Sequence, residues 1–291
     1  MLFAIGRFMF IVFSVVLSII LAVFVLRTLS KNQLYAPLTH PLITNQSPGE
    51  PFRPWLIAKG GDLDFGPAQS KSALTAASKI SKRIFLGITL RLTKDFRWVL
   101  YSPSYLEELT ELRGFAKQYT LAEIQAVHFK NSNDHILSLE EFMTLYPDSR
   151  WHIEVLQPKN SALEELYSLI KKHHAEERVV LTSPFYDTTQ DLRAQSYAWL
   201  TGASTSEFSK SRFMSSLYLE TAIDLQGEAF QSNKIIPRLF NELFRRQKIV
   251  LYQTESPEEF LKARNDYPQL GVVTTRPTYF SQKVAEFANS Y

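Results

Sequence analysis

Residues Trp55 to Ala77 read WLIAKGGDLDFGPAQSKSALTAA. Trp55–Ala58 is an apolar run suited to a short buried strand, Gly60 and Gly61 turn the chain, and a helical pattern follows from Ser72. Strand, glycine turn and helix form one half of a parallel βαβ unit. In such units chemistry sits on the loop after the strand, yet this stretch holds no histidine, arginine or glutamate.

Working outward, the same alternation recurs. The pattern predicts strands over Trp55–Ala58, Ile84–Leu92, Trp98–Tyr101, Trp151–Leu156, Arg178–Ser183, Ser196–Leu200, Leu217–Ile223, Ile249–Gln253 and Gly271–Thr274. It predicts helices over Ser72–Ile80, Thr120–Val127, Leu139–Tyr146, Ser161–His174, Glu207–Met214, Ile235–Arg246 and Pro257–Tyr267. Two helix starts carry strong local chemistry: Ser138 with Glu141 forms a capping box, and Ser256 caps a helix with Pro257 at its first position. About eight strand–helix units in roughly 235 residues suit a (β/α)8 TIM barrel, an α/β fold with its functional loops at the C-terminal ends of the strands.

Ahead of the barrel the composition changes twice. Phe8–Leu26, FMFIVFSVVLSIILAVFVL, has no charge and no proline and is bracketed by Arg7 and Arg27, so as a helix it matches the ~30 Å of bilayer hydrocarbon. It reads as one N-terminal transmembrane helix; the alternative, a cleaved signal peptide, fits less well because the apolar run is long and no A-x-A site follows. Between Ser30 and Pro54, Asn, Gln, Ser and Thr accompany Pro37, Pro41, Pro48, Pro51 and Pro54, a composition that disfavours helix and gives a semi-extended spacer. The expected organisation is an anchor over 1–29, a proline-rich linker over 30–54 and a barrel over 55–291.

Composition sets bounds on function. A hydrophobic share of 45% with 21% charged residues is that of a folded chain, and the absence of cysteine removes disulfides, thiolate metal sites and cysteine nucleophiles. A net charge of +3 with no basic run interleaved with aromatics argues against a nucleic-acid partner.

Read in order, IAKGG, GPAQSKSALTAA, IFLGITLRLTKDFRWVLYSP, YTLAEIQAV, ILSLEEFMTLYP, HIEVL, RVVLTS, VLYQTESPEEF and LGVVTTRP resemble the blocks of the glycerophosphodiester phosphodiesterases, from Trp55 to about Phe280. The resemblance implies a TIM barrel of the PLC-like phosphodiesterase superfamily that hydrolyses glycerophosphodiesters with a divalent cation, two histidines and several carboxylates. Residue by residue, most of that site is missing. Where the family has His-Arg-Gly, this chain has Lys59, Gly60 and Gly61; where it has Glu-Asn-Thr, it has Ala68, Gln69 and Ser70. The family's Glu-x-Asp becomes Gly87-Ile88-Thr89, and the His-Asp carrying the second catalytic histidine becomes Ser102-Pro103. Glu154 alone survives of the metal-binding carboxylates, and the lysine expected two residues on is Leu156.

A single carboxylate does not hold Mg²⁺ or Ca²⁺ against water, so a divalent cation is expected only if hydrolysis persists through a rearranged site. Cleavage of a phosphodiester needs charge neutralisation on the phosphoryl oxygens and proton transfer at the leaving oxygen, which lysine and serine do not supply in place of two histidines. Strand alternation puts Gly87, Thr89 and Arg91 on one face, so Lys59 and Arg91 can substitute fixed cations for the metal, with Gly60 and Gly61 amides and Glu154 nearby. Alternatively Lys59 extends to solvent and Arg91 pairs with Glu154 or Asp95, closing the mouth. His128, His135, His152, His173 and His174 have no metal-ligand spacing and read as surface or packing residues, with His152 at a strand edge. Arg276 is expected to close the barrel bottom or reach a ligand, and Tyr101, Phe185, Tyr186 and Tyr252 to line or fill a pocket.

The expectation is a membrane-bound, phosphodiesterase-like pseudoenzyme that binds an anionic phosphoester ligand or a protein partner. The alternative is a divergent phosphoric diester hydrolase acting on glycerophosphodiesters or phospholipid headgroups in lipid metabolism.

Overall fold

The computed structural model describes residues 2–31, 35–36, 38–44, 55–158, 162–195 and 199–288. The predicted linker positions 45–54 and the strand residues predicted at 196–198 lie outside the described residues. Nine strands form, namely β1 Leu56–Lys59, β2 Phe85–Leu92, β3 Trp98–Leu100, β4 Arg150–Val155, β5 Val179–Thr182, β6 Leu200–Thr201, β7 Ala229–Ser232, β8 Ile249–Gln253 and β9 Gly271–Thr274. Eight of them pair in parallel in the order β6-β5-β4-β2-β1-β9-β8-β7, while β3 lies antiparallel on β2. A parallel bridge between Gly202 and Ala229 joins the two ends of that row, with the Ala203 N–H donating to the Ala229 carbonyl at 2.9 Å. This bridge brings the two ends of the row together and makes a nearly closed barrel.

The helices are α1 Leu2–Lys31, α2 Pro41–Thr44, α3 Lys71–Ser78, α4 Leu121–Gln125, α5 Leu139–Leu145, α6 Leu163–Lys172, α7 Tyr186–Ala194, α8 Thr205–Ser216, α9 Pro237–Arg245, α10 Pro257–Asp266 and α11 Pro277–Ala288. Their starts are chemically specified: Ser70, Thr120, Ser138, Ser204 and Ser256 each accept an N–H from the third helical residue. One helix, α1, is long and apolar enough to cross a membrane, and its span Arg7–Val25 is unburied.

Register defines the barrel interior, because neighbours in parallel strands share a face and side chains alternate. Toward the N-terminal end, Ile57, Phe85, Val180, Leu200, Ala229, Leu251 and Val273 form one buried cluster with Trp55 and Leu42. Trp55 stacks on Phe85 at 4.4 Å between ring centroids, and Leu42, on α2, is buried against this floor. Part of the predicted semi-extended spacer is therefore a short helix plugging the barrel bottom.

Two expectations are corrected. Leu217–Ile223 is not a strand: Tyr218 takes φ 61, the Leu219 N–H returns to the Met214 carbonyl to close α8, and a 3-10 turn follows at Glu220–Ala222. The Arg246 guanidinium then donates to the carbonyls of Glu220, Thr221 and Ile223, using backbone groups that a sheet would need. The strand in that position of the barrel is β7, from AFQS, too short and too polar for its pattern to stand out. Helices α7 and α11 were not foreseen; α7, YDTTQDLRA, carries β-branched threonines of low helix propensity.

Gly61 is the tightest backbone position. Its φ is 92, and a Cβ there would stand 2.6 Å from the Ala73 carbonyl carbon of α3. Gly114, at φ 89, would meet only the end of the Gln118 side chain. Gly61→Ala is expected to lower the unfolding free energy by at least ~2 kcal/mol, and Gly114→Ala by about 1. Urea denaturation with unchanged m-value checks this; equal losses would show that φ alone sets the cost.

Candidate functional site

The turn after β1 is built by hydrogen bonds rather than left open. The Gly60 N–H donates to the Gly87 carbonyl at 2.7 Å, and the Gly61 N–H to the Ala58 carbonyl at 3.2 Å. Both amides offered to an anion by the sequence reading are thus committed to the strand ends, which corrects that expectation. Gln69, at φ 66 and 1% exposed, donates its N–H to the Gly60 carbonyl and accepts the Thr89 N–H on Oε1 at 2.6 Å. This bond fixes the orientation of the amide and leaves Nε2 buried without a partner among the described residues. Asp62 accepts the N–H groups of Asp64 and Thr278, and the Leu63 N–H donates to the Thr275 carbonyl. The loop ties β1, β2, α3 and the start of α11 together.

Inside the C-terminal mouth the register places Lys59 from β1, Gly87, Thr89 and Arg91 from β2, His152 and Glu154 from β4, and Thr182 from β5 on the interior face. Gln231 and Gln253 face inward from β7 and β8, with the Gln231 amide donating to Gln253 Oε1 at 2.8 Å. A cavity of about 220 Å³ opens here, lined in part by His152, Glu154, Thr182, Ser204, Phe208 and Gln231. Lys59 and Arg91 are not in its lining. The Thr89 hydroxyl donates to Glu154 Oε2 at 3.4 Å, Ser102 Oγ donates to Thr89 Oγ1 at 3.3 Å, and Arg91 Nη2 donates to the Ser102 carbonyl at 2.8 Å. Arg91, Ser102, Thr89 and Glu154 therefore form one chain of contacts across the β2–β4 seam.

Neither arginine pairing expected for a closed mouth occurs. Arg91 forms no ion pair with Glu154 or Asp95; Asp95 instead accepts from the Thr93 hydroxyl and the Leu121 N–H. Burial lowers the Arg91 pKa, with Tyr101, Glu108 and Glu154 acting in the opposite direction, and its Nε is buried without a partner among the described residues. Lys59 has no hydrogen bond or ion pair among the described residues. His152 is an interior residue and not at a strand edge: desolvation first, and then the Lys59 charge, push its pKa down to about 4, and its Nε2 has no partner among the described residues. The sequence carried the signal, since strand alternation puts His152 on the face of Glu154 two residues on, but no metal-ligand spacing marked it; the pairing with Gly87 and Val180 gives the same face.

The remaining candidates separate from the cavity. Arg276 is at the mouth end, donating to Asp64 Oδ1 at 2.8 Å, and does not close the bottom. Tyr101 is buried with its hydroxyl on the Leu106 carbonyl, Tyr252 faces Glu259 of α10, and Phe185 and Tyr186 are exposed at the start of α7.

A hard divalent cation requires several converging oxygens, most of them anionic. Among the described residues no group of three His, Asp or Glu converges, and Glu154 is accompanied by hydroxyls and amides. The residues present do not fit such an ion.

No protein-family model and no curated protein matches the chain significantly. Solved structures do. A glycerophosphoryl diester phosphodiesterase from Parabacteroides distasonis superposes with TM-score 0.64 at 18% identity, covering 87% of this chain and 93% of that one. A phosphodiesterase from Oleispira antarctica, solved with the product sn-glycerol-3-phosphate, gives TM-score 0.64 at 17% identity over 80% and 98%. A glycerophosphodiester phosphodiesterase from Agrobacterium tumefaciens gives TM-score 0.64 at 10% identity over 79% and 100%. At these identities the likeness is one of fold, and it extends over nearly the whole length of each neighbour.

His152 makes stability depend on pH in a defined direction. The folded imidazole stays neutral down to about pH 4, while the unfolded chain takes its proton near 6.5. Its contribution is therefore complete above pH 6.5 and is lost progressively toward pH 4, by about 3 kcal/mol. The melting temperature of His152→Gln is expected to fall less over that window than that of the parent; identical profiles would place the imidazole in water.

Proposed function

We propose that this chain, which carries the glycerophosphodiester phosphodiesterase fold, is a membrane-anchored pseudoenzyme that binds a small anionic phosphoester without hydrolysing it. The observation carrying this reading is the exchange at the mouth: two cationic side chains, Lys59 and Arg91, stand against the single carboxylate Glu154, and buried donors are left without acceptors. An oxyanion entering there would accept from Lys59, Arg91 or Gln69 Nε2, groups that are otherwise costly to leave unpaired. The cavity of about 220 Å³ beside Glu154 is lined by His152, Thr182 and Gln231 and not by Lys59 or Arg91, so the phosphoryl group would sit at the cations and only the rest of a small headgroup in the cavity. The Oleispira phosphodiesterase holds sn-glycerol-3-phosphate, which makes that molecule the first probe.

Hydrolysis lacks its proton carriers. Lys59 and Ser102 stand where the resemblance calls for histidines, and His152, the one imidazole lining the cavity, is held neutral by burial. A second reading, a divergent phosphoric diester hydrolase, rests on that same imidazole facing the cavity beside Glu154.

The anchor is α1. Its 19-residue span Arg7–Val25 extends about 28 Å as a helix, close to the ~30 Å hydrocarbon thickness, and none of it is covered by the barrel. A signal sequence shares these properties, and retention of α1 in membrane-extracted protein, read by N-terminal sequencing, separates the two.

Addition of sn-glycerol-3-phosphate or glycerophosphodiesters to the full chain is expected to raise its melting temperature. Lys59→Ala should leave the ligand-free melting temperature unchanged and weaken binding by about ten- to a hundredfold, the loss of one charge-assisted contact. Turnover of a glycerophosphodiester panel is expected to be absent with Mg²⁺, Ca²⁺ or Mn²⁺. Metal-dependent turnover that disappears in Glu154→Ala would overturn the binding reading in favour of the hydrolase.

A further inference from the structure

The anchor does not join the barrel at an arbitrary point. α1 touches the 3-10 turn Glu220–Ala222, and the chain beyond α1 sets Tyr35 against the guanidinium groups of Arg245 and Arg246, 5.1 and 5.2 Å from its ring centroid. That turn directly follows the end of α8 remote from the cavity, whose other end supplies the lining residues Ser204, Thr205 and Phe208. At this remote end three large apolar side chains are open to solvent: Phe213 at 62%, Leu217 at 49% and Tyr218 at 48%. Phe213 and Leu217 are four residues apart at the end of α8, so they stack on one face.

The rim of this patch is cationic. Lys210 and Arg212 are exposed on α8, and Arg238 of α9 lies over the Tyr218 ring at 3.5 Å. None of the three forms an ion pair among the described residues. Of the nearby acids, Glu207 accepts from Arg193, Glu242 from Arg245 and Arg246, and Asp224 from Gln226, while Glu220 is buried in the turn and pairs with none of the three cations. Aromatic and aliphatic side chains ringed by lysine and arginine that have no acidic partner among the described residues, contiguous with the exit of an apolar helix, match the headgroup layer of an anionic bilayer.

We propose that the flank formed by Phe213, Leu217 and Tyr218 with Lys210, Arg212 and Arg238 docks on the surface of the anionic membrane that α1 spans, holding the barrel mouth toward water. This rests on the reading of α1 as a membrane anchor. Insertion of the apolar tips and attraction of the cations to lipid phosphate then fix the barrel's orientation, which one helix through a single connection does not.

The chain has no cysteine, so single-cysteine spin labels report one site each. In full-length protein reconstituted into phosphatidylcholine vesicles with and without phosphatidylglycerol, labels at Phe213→Cys and Leu217→Cys are expected to collide several-fold more with oxygen than with a water-soluble nickel chelate. The Phe185→Cys label, at the mouth, should show the reverse, and Ile19→Cys should report hydrocarbon. The triple change Lys210→Glu, Arg212→Glu, Arg238→Glu should move the Phe213 label into water while Ile19 stays buried. Phe213 and Leu217 labels in water with Ile19 in hydrocarbon would overturn the docking and leave the anchor standing; all labels in water would overturn both. Protection of Phe213 that vanishes on dilution of protein in the vesicles would assign the patch to a second copy of the chain, and would also overturn the proposal.

Discussion

The turn between β1 and α3 is the constraint on which the rest of the barrel depends. Gly61 brings its backbone so close to α3 that no Cβ fits, and Gln69 spans from the Gly60 carbonyl to the Thr89 N–H. Through Asp62 and Leu63 the same segment reaches the residues that lead from β9 into α11. A loop of this shape is usually explained by its ligand. Here its polar groups are nearly all spent on the protein, which explains how the shape outlasts the histidine, arginine and glutamate that the resemblance expects in it.

Closure of the barrel then produces two layers of opposite character. The lower interior is apolar, sealed by Trp55 on Phe85 and by Leu42 from the short helix below. The upper interior is polar but lacks the density of carboxylates that would grip a cation. Gly87 stands where a ligand-bearing side chain would enter, and a Cβ there would come within 2.9 Å of Ile57 Cγ2. A side chain at this position would have to displace the Ile57 methyl group of β1. The positively charged side chains at the mouth are Lys59 and Arg91, and Glu154 is the carboxylate that faces them across the β2–β4 seam.

Much of this was legible in the residues. The repeated strand–helix pattern and the capping signals at Ser138 and Ser256 gave the elements with small shifts at their ends, since local hydrogen bonding sets where a helix starts. The departures at Lys59, Gly87, Thr89 and Ser102 could be read directly, as they concern residue type at a known spacing. Other features were hidden by their physics. β7 is four residues long and half polar, so period-two patterning had nothing to hold, whereas LYLETAI alternates convincingly and yet serves as a helix end whose carbonyls Arg246 occupies.

What the sequence by itself determined was the fold class, the apolar N-terminal helix and the residue types that stand at the strand ends, because these follow from periodicity, composition and identity. Only the tertiary structure decided that His152 is buried in the cavity wall, that the Gly60 and Gly61 amides are already bonded, that Arg91 holds the Ser102 carbonyl instead of a carboxylate, and that α1 meets the barrel beside an exposed apolar flank. The reason is the same in each case. Which face of a strand is interior, and which donor finds which acceptor, depends on neighbours brought together from distant parts of the chain, and short-range pattern carries no record of them.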